Sequence, residues 1–261
     1  MKIAVTGKGG VGKTTVASLL AKAFAADGYT VLAIDANPDP NLAMAFGVSP
    51  SVIEKTPPIS KMEQLIEERT GAKPGTTGNY FKLNPRVDDI PDKFAIVADH
   101  VKILFMGTVQ KGGGGCICPE SALLRTLTSH LVLRRSEVVI MDMDAGFEHI
   151  GRGTAAAVDA FIVVVEPGQR SLQTARAIKK LAKDIGVNTV YVVGSKTRTE
   201  EDRTFISENL PDFKILGFVD YGDKIAEADL KGLSVYDHAP DAAREAIRIM
   251  EQLKALHKAR S

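Results

Sequence analysis

Short apolar, β-branched runs recur along the chain. They cover Lys2 to Thr6, Thr30 to Asp35, Val101 to Met106, Val138 to Asp142, Phe161 to Glu166, Thr189 to Val193 and Ile215 to Val219. Several show no polar alternation, as expected of strands covered by helices on both faces. Helical spacing of apolar positions fills the intervals, at Lys13 to Asp27, Lys61 to Thr70, Glu120 to Leu133, Ser171 to Ile185, Arg203 to Asn209 and Asp241 to His257. Strand–helix alternation predicts an α/β fold with right-handed crossovers and a doubly wound, mostly parallel sheet. No internal repeat is visible. The stretch from Ser49 to His100, with Pro57, Pro58, Pro74, Pro85 and Pro91, is the least regular. It reads as an elaboration, at about residues 49–100, on a single domain spanning 1–261.

Composition narrows the partners. The chain has 261 residues and 33 Lys plus Arg against 32 Asp plus Glu, a net charge of +1. No overall attraction to nucleic acid or an acidic membrane is built in. Charged residues at 25% and 23 glycines argue against disorder and collagen-like sequence. Two cysteines cannot form a disulfide framework and suit a reducing cytoplasm. Apolar runs such as Phe161 to Val165 fall far short of the ~18 residues of a membrane span. Glycines interrupt the N-terminal apolar run too early for a signal peptide. The expectation is a cytoplasmic protein without stable membrane association.

Gly7-Lys8-Gly9-Gly10-Val11-Gly12-Lys13-Thr14 fits G-x-x-x-x-G-K-[ST], between a predicted strand and helix. Backbone N–H groups of such a loop, with the helix N-terminus, cradle phosphates. Lys13 is placed to reach the β- and γ-phosphates and Thr14 to bind Mg²⁺; Thr15 completes the segment. A plain glycine-rich turn is the alternative, which the strand–helix context disfavours. Lys8 is a second lysine inside the loop. The GKGGVGKTT form resembles the deviant Walker A of the MinD, ParA and nitrogenase iron-protein ATPase class. That resemblance implies a nucleotide-bridged homodimer in which Lys8 crosses to the partner's ATP. The simpler alternative keeps Lys8 on its own subunit's phosphates.

Two acidic clusters follow strands. Val138 to Asp142 is an apolar run ending in Asp, the Walker B arrangement; Asp144 and Gly146 follow, and the glycine suits a switch that must approach the γ-phosphate. Asp35-Ala36-Asn37-Pro38-Asp39 follows the second strand. Any one of these acids is more simply a turn or cap. Gathered beside a P-loop, they point to metal and water handling, with Thr14, Asp35 and Asp142 as the magnesium set. Related ATPases usually read D-x-D-P here, and their second Asp activates water; this chain has Asn37. Asn cannot accept a proton but can orient water, and Asp39 is the other candidate. Lys8, Lys13, Asn37 and Asp39 are thus the catalytic candidates, with slow hydrolysis expected. Ser195 and Lys196 stand where the class often carries Asn-Lys for base recognition. Asp220 is read as touching ribose or base, or as a turn residue. ATP as the nucleotide follows from the resemblance.

Both cysteines lie in Gly112-Gly113-Gly114-Gly115-Cys116-Ile117-Cys118-Pro119. Two residues apart is poor disulfide spacing but serves two-thiolate metal binding. A helix starting near Pro119 is expected to lower the thiol pKa values. A two-fold dimer doubles the pair to four sulfurs, suiting tetrahedral Zn²⁺ or planar Ni²⁺. Two unrelated loop cysteines are the alternative. Taken together, the deviant Walker A, DANPDPNL from Asp35 to Leu42, the C-x-C after a Lys-Gly-Gly turn, and VVIMDMDAGFEHIGRGT from Val138 to Thr154 resemble the CooC-type nickel-insertion ATPases that mature carbon monoxide dehydrogenase. The resemblance covers essentially the whole chain, although Asp144 often appears in that class as Gly. It implies a homodimer that binds Ni²⁺, or Zn²⁺ in vitro, at Cys116 and Cys118. ATP would drive delivery of nickel to carbon monoxide dehydrogenase or the related acetyl-CoA synthase.

Two rival readings share the fold. An Mrp-like iron–sulfur carrier would usually carry C-x-x-C near its C-terminus, which is absent here. A MinD- or ParA-like positioning ATPase would act on membrane or DNA. Ile247, Met250, Leu253 and Leu256 could form an apolar stripe on the last helix, but without Trp or Phe it reads as sheet-covering rather than membrane-seeking. His149 reads as a solvated loop residue.

Overall fold

The computed structural model describes residues 1–38, 40–75, 80–108, 118–133, 137–144 and 158–259. In chain order its elements are β1 (Lys2–Gly7), α1 (Lys13–Ala26), β2 (Val31–Asp35), α2 (Leu42–Ala45), α3 (Pro50–Glu54), a 3₁₀ turn (Ile59–Lys61), α4 (Glu63–Thr70), α5 (Ile90–Phe94), β3 (Ile96–Ala98), β4 (Val101–Phe105) and α6 (Pro119–Leu133). There follow β5 (Val138–Asp142), β6 (Ala160–Val165), α7 (Gln169–Asp184), β7 (Val190–Thr197), α8 (Glu200–Asn209), β8 (Lys214–Asp220), α9 (Asp223–Lys231), α10 (Val235–His238) and α11 (Pro240–Lys258).

The strands form one sheet in the order β3-β4-β2-β5-β1-β6-β7-β8. Its pairs are parallel except β3 with β4, which closes one edge antiparallel. Alternate residues of a strand feed opposite faces. Ile3 and Val5 join the apolar layer of Leu19, Phe24, Ile249 and Leu253. Ala4 joins Leu32, Leu127, Phe161 and Leu172 on the other face. The α/β, mostly parallel expectation is met. β1 lies between β5 and β6, and the register pairs Asp35 with Asp142 across β2 and β5. Two carboxylates thus end adjacent strands at one level, beside the P-loop. Chains of this architecture bind ligands at that carboxyl edge.

Local departures from the sequence reading have local causes. β7 continues past Val193 to Thr197, because Gly194 leaves room for the Phe218 ring on β8. α8 starts at Glu200 rather than Arg203, since Thr199 accepts from Asp202 N and Asp202 returns to the cap backbone. The region 49–100 holds α3, α4, α5 and β3, with Pro50 and Pro91 in first turns where proline is tolerated. On α11, Met250 and Leu253 are buried, but Ile247 is 40% exposed. Ala242, Ala246 and Ile249 complete the covered stripe, and Lys254 reaches Asp27 at 2.7 Å. The stripe thus lies against the sheet-covering layer rather than outward. Among the described residues, no helix is long and apolar enough to cross a membrane.

Candidate functional site

β1 delivers the chain into a glycine turn that only glycine fits. Gly7 has φ of 152°, and a Cβ there would stand 2.6 Å from the Val164 carbonyl oxygen. Gly12, with φ of 95°, caps α1 in the left-handed region. Lys13 is nearly buried, its Nζ 3.4 Å from the Lys8 carbonyl oxygen and 3.0 Å from Asp144 Oδ1. Lys8 Nζ meets Glu166 Oε1 at 3.3 Å. Both loop lysines therefore pair with acids of their own chain, at the end of α1 where phosphate would bring negative charge.

Thr14 Oγ1 donates to Asp142 Oδ2 at 2.6 Å. Asn37 Nδ2 donates to the same oxygen at 3.1 Å and to Asp35 Oδ1 at 3.0 Å. The second Asp35 oxygen accepts from Asn41 N and Leu42 N, each at 2.8 Å. Asp35 is thus saturated by donors of its own loop. Burial raises its pKa against those hydrogen bonds. Asp142 is pushed up to about 7, first by burial and then by the Asp35 charge. Its Oδ1 is buried without a hydrogen-bond partner among the described residues, as is Asn37 Oδ1. An orphaned buried carboxylate oxygen beside a threonine hydroxyl is a donor set that fits a hard cation such as Mg²⁺. Asp35 supports that pair from behind. Asp39 lies outside the described residues.

Ser195, Lys196 and Asp220 border a cleft of about 500 Å³ that opens from Gly12, Lys13, Thr14 and Thr15. Lys196, with φ of 56°, donates to the Gly10 carbonyl oxygen at 2.6 Å. Ser195 is buried under Gly12. Asp220 accepts from Thr197 Oγ1 and, at 2.6 Å, from Arg203 Nη2, so it braces the cleft wall with both oxygens engaged. The sequence reading missed much of the rest of that wall, including Asn41, Met44, Tyr221, Ile225 and Leu233. It also missed Glu166 as the partner of Lys8, for which position after the sixth strand was the available signal.

Cys118 sits at the head of α6, with Sγ 3.1 Å from Ser121 Oγ. Burial pushes its thiol pKa up. This corrects the expectation that the helix start lowers it: desolvation of a thiolate outweighs the N-terminal potential here. Cys116, the glycine run before it, Gly146 and His149 lie outside the described residues. Among the described residues there is no group of three or more His, Cys, Asp or Glu able to hold a metal.

Residues 2–235 match the family model of the CobQ/CobB/MinD/ParA nucleotide binding domain. The chain is 49% identical, over 97% of its length and 96% of the relative's, to the carbon monoxide dehydrogenase accessory protein CooC of Rhodospirillum rubrum. It is 48% identical over 89% of its length and 90% of the relative's to an uncharacterized ATP-binding protein of Methanocaldococcus jannaschii. Among solved structures, a chain of the MinC:MinD cell division protein complex of Aquifex aeolicus superposes with a TM-score of 0.69 at 17% identity, covering 98% of this chain and 96% of that one. MinD with Mg-ADP from Pyrococcus horikoshii gives 0.68 at 19% identity, covering 99% and 97%. At such identities these two likenesses speak to fold alone.

Proposed function

The chain belongs to the CobQ/CobB/MinD/ParA nucleotide-binding family and, within it, to the CooC-type ATPases, and from that membership we propose that it loads nickel into carbon monoxide dehydrogenase, or the related acetyl-CoA synthase, as an ATP-linked homodimer. ATPase activity and service to carbon monoxide dehydrogenase maturation follow from the relatives. Nickel as cargo and the dimer are the finer parts of the reading. The observation that carries it is the near-half identity to CooC along almost the whole chain, in a sequence that keeps both the two-lysine P-loop and the C-x-C pair.

Lys13 and the loop N–H groups would take the phosphates in place of Asp144, and Lys8 would be drawn from Glu166 toward nucleotide. Thr14 and Asp142 would hold Mg²⁺, which supplies charge neutralisation at the β- and γ-phosphates. Asn37 keeps the two strand-end carboxylates together. Cys116 and Cys118 from two protomers would offer four sulfurs to the cargo metal.

Closure around ATP would change how these cysteine pairs face each other, so nucleotide and metal would alter each other's affinity by the same factor. Ni²⁺ titrations with and without a non-hydrolysable ATP analogue test this, on wild type and Cys116→Ser, with mass followed by light scattering. The expected result is an analogue-dependent Ni²⁺ affinity, one metal per dimer, and loss of both in Cys116→Ser. Equal affinities in the two conditions, or a monomer throughout, would defeat the reading.

A further inference from the structure

Hydrolysis of ATP is favoured by an acceptor that faces the attacking water, and among the described residues most carboxylates around this P-loop are already committed. Asp35 accepts from four donors of its own loop. Asp142 is buried and holds Thr14 and Asn37. Glu166 holds Lys8. Asn37 spends its amide protons on Asp35 and Asp142. Its remaining oxygen is buried. It acts as a clamp between acids rather than a surface presented to water.

Asp144 differs from all of these. Its side chain is 61% exposed, and its Oδ1 lies 3.0 Å from Lys13 Nζ, the ammonium that grips β- and γ-phosphates in a P-loop. Its backbone is held too, since Thr6 Oγ1 donates to the Asp144 carbonyl oxygen at 3.1 Å. The carboxylate is therefore anchored beside the phosphate end of the site with acceptor capacity open to solvent.

We propose that Asp144 is the catalytic carboxylate of this ATPase, orienting the attacking water and taking its proton. The water oxygen forms a bond to the γ-phosphorus while the bond from that phosphorus to the β–γ bridging oxygen breaks. The electron pair leaves with ADP, and the water proton passes to an Asp144 carboxylate oxygen, then to solvent. Lys13, released from Asp144 by the incoming phosphates, stabilises the charge on the transferred group.

The test compares Asp144→Asn, Asp144→Glu, Asp39→Asn and the double variant Asn37→Asp/Asp144→Asn. Steady-state and single-turnover ATP hydrolysis are measured beside the affinity for a fluorescent non-hydrolysable ATP analogue with Mg²⁺. Asp144→Asn should slow single-turnover hydrolysis about 100-fold or more while analogue affinity holds or tightens, because Lys13 loses a competing anion. Asp144→Glu should recover part of the rate. The double variant should stay slow, because position 37 faces Asp35 and Asp142. Hydrolysis within about twofold of wild type in Asp144→Asn would overturn the proposal and leave Asp144 a counter-ion of Lys13. A comparable loss in Asp39→Asn alone, or full recovery in the double variant, would likewise move the role elsewhere.

Discussion

Asn37 Nδ2 lies 3.1 Å from Asp142 Oδ2, so a side chain that follows β2 donates to a buried carboxylate that ends β5. The same amide reaches Asp35 Oδ1 at 3.0 Å. One neutral group thus bridges two buried acids. An aspartate at this position would replace a donor with a third acceptor among like charges. Asn37→Asp should lower the stability of the nucleotide-free protein by about 1–3 kcal/mol. For a chain of this size that is a drop of roughly 2–4 °C in Tm per kcal/mol. Mg²⁺ with nucleotide should narrow the gap, because a cation beside Asp142 favours added negative charge. Differential scanning calorimetry with and without Mg-ADP checks both points; equal melting temperatures would show that the bridge contributes nothing.

Asp142 gives the nucleotide-free protein a pH dependence of definite sign. Its folded pKa is pushed up to about 7 from an ordinary value of 3.8, by burial and the Asp35 charge. Between those values the folded state binds more protons than the unfolded state, so stability falls as pH rises through this window. Asp142→Asn should flatten that decline, and saturating Mg-ADP should suppress it in wild type. Urea midpoints at intervals from pH 5 to 8 measure the slope. A decline of the same steepness in Asp142→Asn would assign it to other groups.

The sheet was legible because its strands are local apolar runs, and the phosphate loop because its residues are contiguous. What could not be read is pairing across the chain. Lys8 and Glu166 are 158 residues apart, and Asn37 and Asp142 are 105 apart. Periodicity carries no signal over such distances; only the order β5-β1-β6 and the β2–β5 register bring them together. β3 escaped because three residues, the middle one exposed and its neighbours half-buried, make no pattern. α10 escaped because four residues make barely one turn, and the nine residues of α9 went unread beside it. Those two helices supply much of the cleft wall, including Ile225, Asp229 and Val235, so the phosphate loop was readable whole, while of the far wall only Ser195, Lys196 and Asp220 were. For Cys118, the helix start was read from Pro119, but the burial that governs the thiol is a tertiary property.

The Lys8–Glu166 pair separates two roles for the second loop lysine. Its side chains are 38% and 28% exposed, and half-exposed pairs contribute little to folding, at most about 1 kcal/mol. Glu166→Gln should therefore leave the melting temperature nearly unchanged. If Lys8 must leave Glu166 to reach a partner's nucleotide, the substitution should tighten the ATP-dependent dimer several-fold. Lys8→Ala should abolish that dimer while each monomer still binds nucleotide. Sedimentation velocity with a non-hydrolysable ATP analogue distinguishes these outcomes. A weaker dimer in Glu166→Gln would mean that the glutamate positions Lys8 for the partner rather than holding it back.

Cys118 makes the last prediction, which concerns the metal-free protein. Its thiol is buried at the head of α6, donates to Ser121 Oγ at 3.1 Å, and has its pKa pushed up by that burial. The thiolate is the nucleophile toward alkylating reagents. A raised pKa leaves less of it at neutral pH, and burial restricts access to what remains. In a Cys116→Ser background, where Cys118 is the sole cysteine, alkylation by iodoacetamide at about pH 7.5 should be slower than in urea, since the raised pKa leaves less thiolate and burial shields it. Raising the pH should accelerate the native reaction over a range above that of the unfolded chain. Ser121→Ala removes a partner whose hydrogen bond lowers the thiol pKa, so it should slow the reaction further unless it opens the site. Mass spectrometry of timed samples gives the rates. A native rate equal to the unfolded one would place the Cys118 thiol in water, and burial would then no longer explain its protonation.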